Sequence, residues 1–125
     1  MPSLETFTIW QKEMALTKEI YAVTKSFPPD ERFGLTSQLR RAATSVLANT
    51  AEGLGRRMPA DKANKYTIAR GECSEVRALL LLSIELEYLS SIQANEAVNL
   101  LDEIGKMLNG LIRAHSLSPI STQSP

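Results

Sequence analysis

The chain has 125 residues, 43% of them hydrophobic and 22% charged, which suits one hydrophobic core and is too short for two. Its 14 basic and 14 acidic side chains cancel to a formal net charge of zero, so composition gives no bulk attraction to nucleic acid or membrane. With only six glycines and six prolines, the chain is poor in helix breakers and reads as helical throughout.

The N-terminal residues Met1–Phe7 have no basic segment leading into an apolar run, so no signal peptide is expected. Thr6 or Thr8 is placed to cap a first helix running to about Lys25. Ile9, Leu16, Ile20, Val23 and Phe27 share one stripe of that helix, and Trp10, Met14, Thr17 and Tyr21 an adjacent one. Lys12, Lys18, Glu19 and Lys25 form its outer face. Pro28-Pro29 ends it, and Asp30-Glu31 starts a brief turn before Phe33-Gly34.

The second helix carries three stripes instead of the usual two. Leu35, Leu39, Ala42, Ala43, Val46, Thr50 and Leu54 form an ordinary core face. Ser37, Thr44, Ala48, Ala51 and Gly55 form a face of small residues, with Arg40 as its one long side chain. Gln38, Arg41, Ser45, Asn49, Glu52 and Arg56 line a polar face. Small residues admit a second helix at close range. Ser37, Arg40, Thr44, Ala48, Ala51 and Gly55 are therefore the candidate oligomer interface. Matched polar groups persist at a contact only when they pair. Arg41, Asn49 and Glu52, with Glu75 of the third helix, are accordingly expected to form one hydrogen-bonded cluster.

The second helix closes at Gly53 or Gly55, and Arg56-Arg57-Met58 connects it to a third opened by Pro59 and Asp61. On the third helix Tyr66, Ala69, Cys73, Val76 and Leu80 share one face, and Ile68, Leu79, Leu82 and Leu86 its neighbour. Gly71 in mid-helix costs about 1 kcal/mol relative to Ala, which predicts close approach of another backbone. Tyr88-Leu89-Ser90-Ser91 makes the next turn, with Ser90 or Ser91 as cap. A fourth helix follows to about His115 on Ala97, Leu100, Leu101, Ile104, Met107, Leu108 and Leu111. The expected architecture is all-α, an antiparallel up-down four-helix bundle over residues 1–115, with residues 116–125 a disordered Ser/Pro-rich tail.

Little in the chain suggests catalysis. His115, the one histidine, falls at the end of the last helix and reads as a solvated residue, and Cys73 as a buried structural thiol. No Cys/His ligand set and no Glu-x-x-His pair exists, and Glu72 and Glu75 read as partners for Arg41 or Arg56. Gly53-x-Gly55 is a helix exit, since no strand precedes it. The expectation is a non-enzymatic protein with no catalytic residue, metal or cofactor. The lone cysteine suits a reducing cytosol. The longest apolar run, Ala78–Leu82, is far too short to cross a bilayer. A cytoplasmic location with no membrane partner is expected. Basic residues gather in the middle of the chain, and Glu85 to Glu103 is wholly acidic, a pattern that fits solvated faces or a dipolar molecule.

The run Arg32-Phe33-Gly34-Leu35-Thr36-Ser37-Gln38-Leu39-Arg40-Arg41-Ala42-Ala43, followed by Asn49-x-Ala51-Glu52-Gly53, resembles the four-helix-bundle family of 23S rRNA intervening-sequence proteins. Trp10-Gln11-Lys12, Tyr66-x-x-Ala69-x-Gly71-x-x-x-Glu75 and Ile104-Gly105-x-Met107-Leu108-Asn109-Gly110-Leu111-Ile112 extend the likeness over nearly everything but the tail. The resemblance implies a four-helix bundle that assembles as a ring of five, in a family whose members mostly lack an assigned activity. A distant relative, the accessory variability protein of diversity-generating retroelements, is a basic pentamer working with a reverse transcriptase and nucleic acid. This chain differs from the pattern at Leu47, where proline is common, at Thr50, which places a hydroxyl where Ile or Val is usual, and in its neutral charge. The leading functional expectation is a homo-oligomeric scaffold or binding module whose first partner is itself. The alternative is an accessory factor that binds RNA or single-stranded nucleic acid through Arg56, Arg57, Lys62 and Lys65.

Overall fold

The helix boundaries follow the chain's prolines, glycines and cap residues. The computed structural model describes residues 2–116, so the predicted tail lies outside the described residues except for Ser116. Four helices, α1 (Thr8–Thr24), α2 (Leu35–Gly55), α3 (Pro59–Glu85) and α4 (Ser91–Ser116), account for most of them, with short 3₁₀ turns at Leu4–Thr6 and Pro29–Glu31. No strand occurs among the described residues.

Neither threonine caps α1. Phe7 holds the N-cap position, while the Thr6 hydroxyl donates to the Ser3 carbonyl at 2.7 Å and closes the preceding turn. The start of α2 is capped from one turn upstream: Glu31 Oε1 accepts the Leu35 N–H at 3.1 Å. The other oxygen of Glu31 accepts the Tyr88 hydroxyl at 3.0 Å, which ties the α1–α2 connection to the α3–α4 turn. Pro59 occupies the first turn of α3, where its missing N–H costs nothing. At the far end Glu87 takes a left-handed conformation, φ 63°, and the Tyr88 N–H reaches back to the Ser83 carbonyl at 3.0 Å. That is the glycine-type helix stop, made here by a glutamate. Ser90 and Gln93 then form a reciprocal cap on α4: Ser90 Oγ accepts the Gln93 N–H at 3.1 Å, and Gln93 Oε1 accepts the Ser90 N–H at 2.9 Å.

All four helices share one core. Leu16 and Ile20 of α1, Leu39 and Val46 of α2, Val76 and Leu80 of α3, and Leu101, Ile104 and Leu108 of α4 are buried in it. The α2–α3 contact is the most extensive, followed by α3–α4, and α1 closes the arrangement against α2 and α4. Gly53 sets the α2–α3 spacing. A Cβ placed on it would stand 2.6 Å from the buried Tyr66 ring and 3.2 Å from the Lys65 side chain. Gly71 plays no such part, because nothing in the chain lies within 4 Å of where its Cβ would be.

The core also holds a carboxyl group. Glu13 is fully buried, and its Oε2 meets the Thr50 hydroxyl at 2.6 Å. The hydroxyl that replaces the usual aliphatic residue in α2 is therefore the partner of an acid in α1.

Candidate functional site

The polar face of α2 does not form one cluster. Arg41 reaches α3, pairing with Glu72 at 3.1 Å and with Glu75. Burial works against charge on Glu72, but the Ser45 hydroxyl and Arg41 outweigh it and hold the carboxyl below its ordinary range. Asn49 bonds the Ser45 carbonyl at 2.9 Å and its hydroxyl at 3.1 Å. Glu52 stands apart, 3.7 Å from Lys65. Arg41 is not buried either, with its side chain 56% exposed. An exposed ion pair contributes about 0.2–1 kcal/mol. Loss of Arg41 is therefore worth far less than the roughly 3–5 kcal/mol that a buried cluster would imply. The face is a seam of ion pairs between two helices.

The small-residue face is largely at the surface. Ser37, Thr44, Ala48 and Gly55 are exposed, and Arg40 and Ala51 are half-buried. Arg40 lies against α1: its Nε donates to Thr24 Oγ1 at 2.9 Å, and its guanidinium stacks 4.6 Å from the Tyr21 ring. Beside it opens a groove of about 430 Å³ lined by Tyr21, Arg32, Phe33, Ser37, Arg40 and Thr44. At the other end of the stripe, Ala51 and Gly55 help line a smaller cavity of about 200 Å³ with Leu4, Phe7 and Leu54.

The four cations at the α2–α3 corner divide into two kinds. Lys62 Nζ donates to the Gly53 and Leu54 carbonyls at 3.1 Å each, satisfying the end of α2, and Lys65 faces Glu52. Arg56 and Arg57 are exposed and make no ion pair among the described residues. The basic middle of the chain is thus partly neutralised in place, by Glu72, Glu75, Glu52 and, for Arg77, Asp102.

Cys73 is buried, and burial pushes its thiol up to about 12, so it is not poised as a nucleophile. His115 is half-buried rather than solvated, with its ring tilted against Tyr66 at 5.9 Å between centroids. No group of three potential metal-ligating side chains comes together, and no helix is long and apolar enough to cross a membrane, among the described residues.

Two features escape a reading by helical stripes. The first is Glu13, whose Oε1 has no hydrogen-bond partner among the described residues and whose carboxyl is pushed up to about 8 by burial, against the opposing hydrogen bond from Thr50. The second is the exposed apolar surface of α3. Ile68, Leu82 and Leu86 occupy the face expected beside the core stripe, yet they are 41%, 45% and 44% exposed, and neighbouring Leu81 is 57% exposed. Only the Tyr66-to-Leu80 stripe enters the core.

Comparison with known proteins agrees with this architecture. A solved structure of a protein of unknown function from the S23 ribosomal protein family of Bacteroides thetaiotaomicron is similar, at 28% identity and a TM-score of 0.76, covering 85% of this chain and 99% of that one. No match is found among curated proteins. The model of the 23S rRNA-intervening sequence protein family matches residues 5–110, which include Gly53, Tyr66 and the ion-pair seam between α2 and α3. The chain belongs to the 23S rRNA-intervening sequence protein family.

Proposed function

We propose that this protein is a cytoplasmic, non-enzymatic scaffold or binding protein, an antiparallel up-down four-helix bundle that assembles with copies of itself into a closed ring of five. The antiparallel arrangement is supported by the order of inter-helix pairs. Glu13–Thr50 precedes Thr24–Arg40 along α1 but follows it along α2. Likewise Arg70–Asn109 precedes Arg77–Asp102 along α3 and follows it along α4. One observation carries the assembly: Ser37, Thr44, Ala48 and Gly55 stay at the surface as a strip of small residues along α2. A strip of that kind suits a helix from another copy, and head-to-tail contacts close into a ring when the rotation between subunits divides a full turn. The number five comes from the family resemblance. The Ala48→Trp variant should lose oligomer mass in light scattering while keeping its helical circular dichroism. Unchanged mass would place the contact elsewhere.

A second reading, binding of RNA or single-stranded nucleic acid, is favoured by exposed, unpaired Arg56 and Arg57 at the α2–α3 corner. Two cations per subunit give few phosphate contacts, and a ring that repeats them gains through effective concentration. Such binding should weaken with salt by a slope near −0.7 per phosphate contacted. Titration of labelled RNA at two salt concentrations with wild type and the Arg56→Ala/Arg57→Ala variant tests it, and equal binding by the two proteins would remove the corner from consideration.

A further inference from the structure

The oligomer reading leaves open which surfaces meet, and the side chains without a partner in the chain divide into two complementary groups. The first lies on the C-terminal half of α3. Leu81, Leu82, Glu85 and Leu86 are exposed, and at three- and four-residue spacing they stand on one side of the helix as an apolar ridge edged by acid. Glu85 and Glu87 make no ion pair among the described residues. Glu87 also holds a left-handed backbone position that glycine fits without strain, so its side chain is kept there against local preference. One turn back from the ridge lie exposed Ala78 and Ser74, and then Gly71, whose missing Cβ faces open space. Gly71 thus leaves room for a backbone that the chain itself does not supply.

The second group lies around the groove between α1 and α2. Phe33 is 87% exposed, with Arg32 over its ring at 5.2 Å, and Tyr21 carries the Arg40 guanidinium. Neither Arg32 nor Arg40 has an acidic partner among the described residues. The groove is therefore aromatic and cationic where the ridge is aliphatic and anionic. Two such surfaces on one molecule are self-complementary only in head-to-tail fashion, which is the geometry of a ring and not of a two-fold dimer.

We propose that the Leu81–Leu82–Leu86 ridge of one subunit, with Glu85 and Glu87, docks into the Tyr21–Phe33–Arg40 groove of a second copy of this chain. The proposal rests on the oligomer reading above and adds the two contact surfaces to it. Every subunit then uses its ridge on one neighbour and its groove on the other.

A mixing experiment tests this. The Leu82→Glu/Leu86→Glu variant loses the ridge and keeps the groove, and Phe33→Glu does the reverse. All three sites are exposed, so both chains should fold with wild-type helical circular dichroism. Each alone should run as a single chain in light scattering, and an equimolar mixture should give two chain masses and no more, because one good ridge meets one good groove and neither can extend. Glu85→Arg and Arg32→Glu provide a milder version, with each single change lowering assembly and the double change restoring it. If wild type is an oligomer and both disabled variants keep its mass, or if both are monomers that fail to pair when mixed, the surfaces assigned here are wrong while the oligomer reading stands. A wild type that is itself monomeric overturns the oligomer reading, and this proposal with it.

Discussion

Glu13 is an acid where helix periodicity asks for an aliphatic side chain, between Ile9 and Leu16 on the inner face of α1. Its environment decides its charge: with one oxygen bonded to Thr50 and the other unpartnered, burial favours the protonated form up to about pH 8. The unfolded chain ionises this group in the ordinary glutamate range, so between that range and pH 8 the folded state binds more protons than the unfolded one. The contribution of Glu13 to stability is fully present at acid pH and is lost as pH rises through the folded value, with a total on the order of 5 kcal/mol. Glu13→Gln removes the linkage. Denaturant midpoints should shift progressively in favour of the variant between pH 5.5 and 8.5, whereas parallel profiles for the two proteins would mean that the acid is solvated and ionised. The pair was half legible. Thr50 stands out in the sequence as a hydroxyl at a core position, and Glu13 shares the spacing of Ile9, Leu16 and Ile20. Only tertiary packing shows that the two anomalies answer each other, across α1 and α2.

The helices themselves were largely written in the chain, because the signals that start and stop them are local. Pro28-Pro29, Pro59, the Ser90 cap and the glycine-rich end of α2 each act within a turn of the boundary they set. The cap of α2 by Glu31 and the glutamate at the α3 stop were not legible, since an acid at either place reads equally well as a solvated side chain. Glycines show the same division. Gly53 and Gly105 both lie inside helices, yet a Cβ on Gly53 meets the Tyr66 ring and one on Gly105 meets nothing within 4 Å. Gly105→Ala should therefore raise stability by about 1 kcal/mol through helix propensity. Gly53→Ala should lower it despite the same propensity gain, because overpacking at a buried contact costs about 1–3 kcal/mol. Paired unfolding curves check both signs, and stabilisation by Gly53→Ala would show that α2 and α3 can part without loss. The polar face of α2 exposes the limit of stripe analysis. It correctly sets Arg41 toward α3, but it cannot say that Asn49 turns back to Ser45 or that Glu52 is met by Lys65.

At the scale of the whole molecule, the surface carries more unmatched apolar side chain than one copy of the chain covers. Phe33, Leu81, Leu82 and Leu86 are exposed alongside the small strip of α2. Contiguous exposed apolar surface on a water-facing protein marks an interaction site. Amphipathic periodicity in α3 suggested two inner faces, and one of them looks outward instead, because α3 has only α2 and α4 to pack against. Sequence alone cannot separate a residue buried by its own chain from one reserved for another copy, since both are apolar and both follow helical spacing. The ridge, the groove, the small strip and the open Gly71 are all accounted for by one claim, that the chain closes head to tail into a ring. The most direct test is the molar mass of the purified wild-type protein by size-exclusion chromatography with light scattering, over a wide range of concentration. The account predicts one species near five times the chain mass of 13.8 kDa; a species of one chain mass at every concentration would contradict it.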